Sequence, residues 1–218
     1  GVLTLGTQQN PVKTVQQAYN WALSEDTIYI EEGRYRFNLV DRKGLIFFSL
    51  GGVDSVFFRS KVQSEPIIKT EHSSSIKTVI KNITFDSNEF VIYNFFQPTL
   101  IDGCRFVDGL GSNGLIRGHY SRLKIQNCLF LNCRRLFYFD QKDSSLGGAL
   151  LDYCTFINVD LMGTAWDHPS SSGKIHILNS IFWDSSRSNI QGLYFENEQL
   201  EFSNCMFKGI SDQYQSDY

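Results

Sequence analysis

Six times between residues 80 and 207 the chain writes one short phrase: IKNITF, IDGCRF, IQNCLF, LDYCTF, ILNSIF and FSNCMF. The phrases end at Phe85, Phe106, Phe130, Phe156, Phe182 and Phe207, at intervals of 21, 24, 26, 26 and 25 residues. A period in this range means a solenoid. A leucine-rich repeat would fix leucine at several positions with one strand per turn. Here the repeat is β-branched, aromatic and Cys-rich, and apolar residues alternate on both sides of a central Asn. That pattern predicts a β-solenoid with two or three short strands per turn.

The Asn marks a break in the alternation. Ile125 points in, Asn127 interrupts, and Cys128 and Phe130 point in again. A one- or two-residue corner there needs φ > 0, which Asn and Gly accept most cheaply. The corner column reads Asn82, Gly103, Asn127, Tyr153, Asn179, Asn204, and only Tyr153 departs from the rule. At about 4.8 Å per turn the amides would form a ladder. The next column reads Ile83, Cys104, Cys128, Cys154, Ser180, Cys205, small groups that fit above one another in a narrow core. The cysteines of this column are therefore expected to be buried free thiols. Their Cβ vectors run parallel, which is poor disulfide geometry, and no CxxC or following His suggests zinc.

Upstream, TVQQAYNWAL places Val15, Ala18, Tyr19 and Ala22 on one helical face, and Thr14 with Gln17 forms a capping box. A solenoid must close its open end, and an amphipathic helix does so. The apolar runs LIFF, VFF and PIIK read as the first two or three coils. The expected fold is all-β: one right-handed parallel β-helix of about eight coils, roughly 40 Å long. A capping helix would span 11–24, coils 25–210 and a tail 211–218.

Composition narrows the function classes. The 218 residues carry a formal charge of −3 with no basic stripe, so nucleic acid is not expected as a partner. No apolar run approaches the ~20 residues of a membrane span. The chain shows neither an initiating Met nor a signal peptide, so it reads either as mature or as a chain with its leader removed, with Gly1 a candidate cleavage scar.

The opening segment TVQQAYNWALSEDTIYIEEGRYRF resembles that of right-handed parallel β-helix proteins of the pectate-lyase-like superfamily. Thr14, Val15, Gln16, Ala18, Asp26, Ile28, Ile30, Gly33 and Tyr35 carry the likeness, and the N-C-x-F coils extend it over nearly the whole chain. The likeness is nearest to uncharacterised gut Bacteroidetes β-helix proteins and to chondroitinase-B-like lyases. It implies a secreted, periplasmic or cell-surface protein that recognises or processes polysaccharide. The matching residues are cap, core and corners. The two Asp and Gln pair of pectin methylesterases are not evident, nor is the polygalacturonase set.

Cations and aromatics collect on three consecutive coils. Arg117 and His119 lie on the first, Arg134, Arg135, Tyr138 and Asp140 on the second, and Trp166 and His168 on the third. Forked guanidinium groups grip uronate carboxylates, and rings such as Tyr138 and Trp166 stack on sugars. In a lyase, Arg117, His119 and Arg135 would be the catalytic set, one as base and another neutralising the carboxylate. Arg134, Tyr138, Asp140, Trp166 and His168 would bind substrate. A second column, Lys81, Asp102, Gln126, Asp152, holds two carboxylates about 10 Å apart by strand spacing, which suits an inverting glycosidase. DSNE at 86–89 is a weak calcium candidate, and otherwise no cofactor or metal is expected. A monomer acting on an acidic glycan is the expectation. The alternatives are a non-catalytic glycan-binding or structural solenoid, and a phage tailspike-like fragment, a trimer with exposed apolar stripes.

Overall fold

The computed structural model describes residues 10–71, 76–86, 88, 90–95, 97–110, 114–119, 122–134, 136–140, 148–159, 175–183 and 200–208. They form a parallel β-helix. Each phrase is two strands joined by a corner, such as Arg122–Gln126 and Leu129–Leu131. Strands before the corner stack into one eight-stranded sheet and strands after it into a second. A third sheet of five strands closes the turn, so five turns are described on all three sides. All pairings are parallel and in register, as Ile101, Ile125, Leu151 and Ile177 show along the first sheet.

The corner column behaves as its residue types require. Asn82, Gly103, Asn127, Tyr153, Asn179 and Asn204 all have φ between 48° and 64°. Tyr153 adopts the strained conformation with its ring in solvent, and its amide still donates to Leu178 O at 3.3 Å. The ladder crosses the two rungs that lack an amide by an identifiable device. Asn127 Nδ2 donates to Asp102 Oδ1, beside Gly103, and Asn179 Nδ2 donates to Asp152 Oδ1, beside Tyr153, each at 2.9 Å. Asp102 also lies 3.6 Å from Lys81 Nζ. The two carboxylates offered as a glycosidase pair are thus each engaged by a ladder amide.

Asn127→Val is expected to lower stability by about 1–2 kcal/mol, the cost of left-handed backbone for a branched residue. Gln126→Val, on the strand one residue earlier, should be near neutral. Urea midpoints of the two variants check this, and equal midpoints would contradict it.

A second corner follows the second sheet and was not anticipated. Asp108, Asn132 and Asn158 have φ of 51°, 53° and 52°. They form their own ladder: Asn132 Nδ2 to Asp108 Oδ1 at 3.0 Å, and Asn158 Nδ2 to Asn132 Oδ1 at 2.9 Å. The signal was present as an Asn or Asp two residues after the phenylalanine. Cys133, just past this corner, is buried for the same reason as the cysteines past the first.

The core is a column of rings. Phe85, Phe106, Phe130, Phe156 and Phe182 are buried and stacked, with centroids 4.5–5.0 Å apart and planes within 16°. Cys104, Cys128, Cys133 and Cys154 are buried and free. Burial pushes the Cys128 thiol well up and the Cys133 thiol up to about 12. Cys205, expected to be buried with its column, is only half-buried, because it lies on the last described rung. A thiol reagent should therefore label Cys205 quickly in native protein and the other four only in denaturant. Mass spectrometry of labelled peptides checks it, and fast labelling of Cys128 would refute the column.

The capping helix spans Val15–Trp21, shorter than the expected 11–24. Thr14 Oγ1 accepts from Gln17 N at 3.1 Å, as the capping box requires. At the other end Ala22 turns to extended backbone. Lys43 Nζ donates to the carbonyls of Tyr19 and Ala22 at 2.7 and 2.6 Å, a cation where the helix dipole favours one. A cavity of about 680 Å³ between this helix and the first turn, lined by Val15, Trp21, Tyr29 and Tyr35 among others, lies at the capped end, away from the third sheet.

Candidate functional site on the third sheet

From Thr78–Lys81 onward, the first- and second-sheet strands of each described turn are joined by two-residue corners. The third-sheet strand instead stands between stretches of variable length, from residue 38 alone to 108–115 before it and from 120–121 to 141–147 after it. A rigid strand flanked by variable segments is where a scaffold can carry function.

Its strands alternate buried and half-exposed residues. Ile68, Thr70, Ile92, Asn94, Ile116 and Gly118 face inward. Behind them runs a buried polar spine. Asp41 accepts from Lys43 N, Leu45 N and Thr78 Oγ1 at 2.9, 3.1 and 2.7 Å, and Thr70 Oγ1 donates to Asn94 Oδ1 at 2.7 Å. Such bonds fix the strands from inside, since a buried carboxylate without donors would be costly.

Outward, register makes two columns. One reads Val40, Lys69, Tyr93, Arg117, Tyr138, and the other Glu71 and Phe95. The first alternates cation and ring. Lys69 Nζ lies 5.5 Å from the Tyr93 centroid, and the Arg117 guanidinium lies 4.0 Å from Phe90 and 5.9 Å from Tyr138. Phe90 and Phe95 each stand 6.0 Å from Tyr93. Gly114, at φ +93°, allows this packing, because a Cβ there would meet Tyr138 Cβ at 2.6 Å.

Arg117 and Lys69 differ electrostatically. Lys69 and Arg42 both pair with Glu71, the latter at 2.9 Å, and hold its carboxyl below its usual value. Arg117 has no carboxylate partner among the described residues, and its Nε is buried without a hydrogen bond. Burial lowers its pKa, but a guanidinium remains charged at neutral pH. A half-buried cation between aromatic faces, with unused donors, is suited to a carboxylate.

The structure brings together Arg117 and Tyr138 of the residues expected at the site, on adjacent strands. The backbones of His119 and Asp140 pair beside them. Arg134 is exposed on the turn past the second corner, where its amide donates to Gly109 O at 2.8 Å. Arg135, Trp166 and His168 lie outside the described residues. Sequence reasoning missed Lys69, Phe90, Tyr93 and Phe95, although Lys69, Tyr93 and Arg117 recur at intervals of 24. Of the calcium candidate, Asp86 pairs with Arg34 and Arg59 and Asn88 accepts from Ser60 N at 2.9 Å, while Ser87 and Glu89 lie outside the described residues. Among the described residues no group of three or more His, Cys, Asp or Glu is placed to hold a metal. No helix among them is long and apolar enough to cross a membrane.

No family model matches the sequence, and no curated protein matches it. Solved structures do. The pectin methylesterase of Aspergillus niger, in deglycosylated form, superimposes with a TM-score of 0.59 at 12% identity, covering 95% of this chain and 80% of that one. PemA, a pectin methylesterase of Erwinia chrysanthemi, gives 0.56 at 12%, covering 94% and 88%. The carrot pectin methylesterase gives 0.55 at 12%, covering 96% and 83%. At this identity the likeness is one of architecture: the chain shares the parallel β-helix fold of these pectin methylesterases.

Proposed function

We propose that this protein recognises or processes an acidic polysaccharide outside the cytoplasm, along the outer face of the third sheet. One observation carries the reading: Arg117, half-buried and without a carboxylate partner among the described residues, is flanked by Phe90, Tyr93 and Tyr138. Cation and rings together match a uronate, whose carboxylate takes the guanidinium while its ring lies against an aromatic face. The fold neighbours are named as enzymes of pectin, an acidic glycan, which is consistent with this. As a lyase, the protein would use Arg117 to neutralise the carboxylate and His119 or Arg135 as base. A screen of uronate polysaccharides tests both levels. Ultraviolet absorbance of an unsaturated uronate product would identify a lyase; binding without product would identify a glycan-binding solenoid; no binding would refute the reading.

The tailspike-like alternative has one observation in its favour. The outer face of the second sheet carries Leu129, Leu131, Ile157, Ile181 and Trp183 on consecutive rungs, with Trp183 41% exposed. Gel filtration separates this trimeric reading from the expected monomer.

A further inference from the structure

We propose that the outer face of the second sheet docks a second copy of this chain, packed antiparallel to the first, in place of the monomer expected from sequence. The inference stands on this face alone and is independent of the glycan reading. The face is divided along its length. At the capped end it carries Arg34, Arg36, Arg59 and Asp86, and Asp86 pairs with Arg34 and Arg59. The last five described rungs are mainly apolar. They carry Val107, Leu129, Leu131, Ile157, Ile181 and Trp183. Arg105 opens this stretch, turned onto Asp54, and Met206 and Lys208 close it. Lys208 Nζ lies 4.0 Å from the Trp183 centroid, so the end cation folds back onto the patch. With Ile181 37% and Met206 51% exposed beside Trp183, the five rungs offer on the order of 600 Å² per copy. Two copies would bury about 1,200 Å², the lower end of the range for specific interfaces.

The patch is complementary to itself when reversed. A two-fold axis along the strand Thr155–Ile157 inverts the order of the rungs and keeps the strands of the two copies aligned, as packed sheets prefer. Ile157 then faces the partner's Ile157, Leu129 faces the partner's Ile181, and Leu131 faces the partner's Trp183. Val107 lies under the stem of the partner's Lys208, whose ammonium points to the rung of Asp86, one strand spacing beyond Val107. The arginine rungs stay outside the contact. A parallel pairing, two-fold or three-fold, sets each rung on itself. It brings Arg34, Arg36 and Arg59 of every copy together with one Asp86 from each, and like charges facing across an interface are unfavourable. Charge thus selects the antiparallel arrangement. The second copy is the occupant because each apolar position meets an apolar partner within the same five rungs.

Sedimentation velocity of the whole chain, from micromolar to millimolar concentration, is expected to show a reversible dimer. Trp183→Asp should weaken it about a hundredfold or more, because each dimer carries the change twice at an exposed aromatic. Arg36→Ala should leave it unchanged, and thermal melts check that both variants are folded. A short bis-maleimide reads the register in chains carrying Cys205→Ser, which removes the half-buried thiol. Ile157→Cys should cross-link to itself, since it sits on the axis. Val107→Cys should not, because its two copies lie about 19 Å apart along the solenoid. A mixture of Val107→Cys and Lys208→Cys chains should cross-link. A monomer at every concentration overturns the proposal, whatever else covers the face. So does a trimer, or a dimer that Trp183→Asp leaves intact. Val107→Cys cross-linking to itself as readily as Ile157→Cys also overturns it, since that is the mark of a parallel pairing.

Discussion

Replacing Phe130 with Ala is expected to cost about 3–5 kcal/mol, the range for a large aromatic removed from a core that cannot collapse. Phe130 is fully buried, with Phe106 at 4.7 Å on one side and Phe156 at 5.0 Å on the other, both nearly parallel to it. The rungs cannot close over the gap. Leu129 and Leu131 stay hydrogen-bonded to the strands above and below, and that spacing is set by the backbone. Phe207 provides the contrast. It belongs to the same column but is 43% exposed on the last described rung, so Phe207→Ala should cost about 1 kcal/mol. Urea unfolding of the two variants measures both, and similar losses would mean that the stack does not carry the stability assigned to it.

The ring column was legible in the sequence because it repeats. Each phrase has the same residue types in the same order, and a periodic requirement leaves a periodic trace: inward Phe, a corner that needs φ > 0, and a small group after it. Even Tyr153, which breaks the residue rule, keeps the corner conformation, because the rungs above and below determine the backbone. The second corner leaves a weaker trace, since its Asn and Asp lie just outside the repeated phrase and precede segments of varying length. The helix was placed correctly by its capping box and overextended at its end, where Lys43, distant in sequence, takes the last carbonyls.

The outer face of the third sheet was only half legible. Arg117 and Tyr138 stood out as a cation and an aromatic on neighbouring coils. Lys69 and Tyr93 did not, because each sits in an apolar run, PIIK or FVIY, that reads as core. Only the register shows that they alternate outward on one column. Nor could the sequence tell which cations were already paired. Lys69 and Arg42 are neutralised in part by Glu71, 29 residues beyond Arg42, and that pairing is a property of adjacent turns.

That distinction decides which substitution should matter most for binding. Arg117→Ala is expected to weaken binding of an acidic oligosaccharide by tenfold to a hundredfold, which is the roughly 1.5–3 kcal/mol of a hydrogen bond to a charged group. Arg117 is held against Phe90 and near Tyr138, so little side-chain entropy remains to be lost when a carboxylate docks. Arg117→Lys should recover part of the loss. It restores a charge but not the planar fork or its stacking on the rings. Arg134→Ala should change little, because Arg134 is exposed on a turn where a long cation must be immobilised to bind. The double replacement of Lys81 and Asp102 should also leave binding intact, since that pair belongs to the first sheet and its corner ladder. Calorimetric titration of the four variants measures the order, with thermal melts to show that each is folded. The half-buried site is also expected to keep much of its affinity as salt rises, because screening acts chiefly on exposed pairs. Should Arg134→Ala abolish binding while Arg117→Ala retains it, the carboxylate docks on the turns beside the third sheet and not on its face.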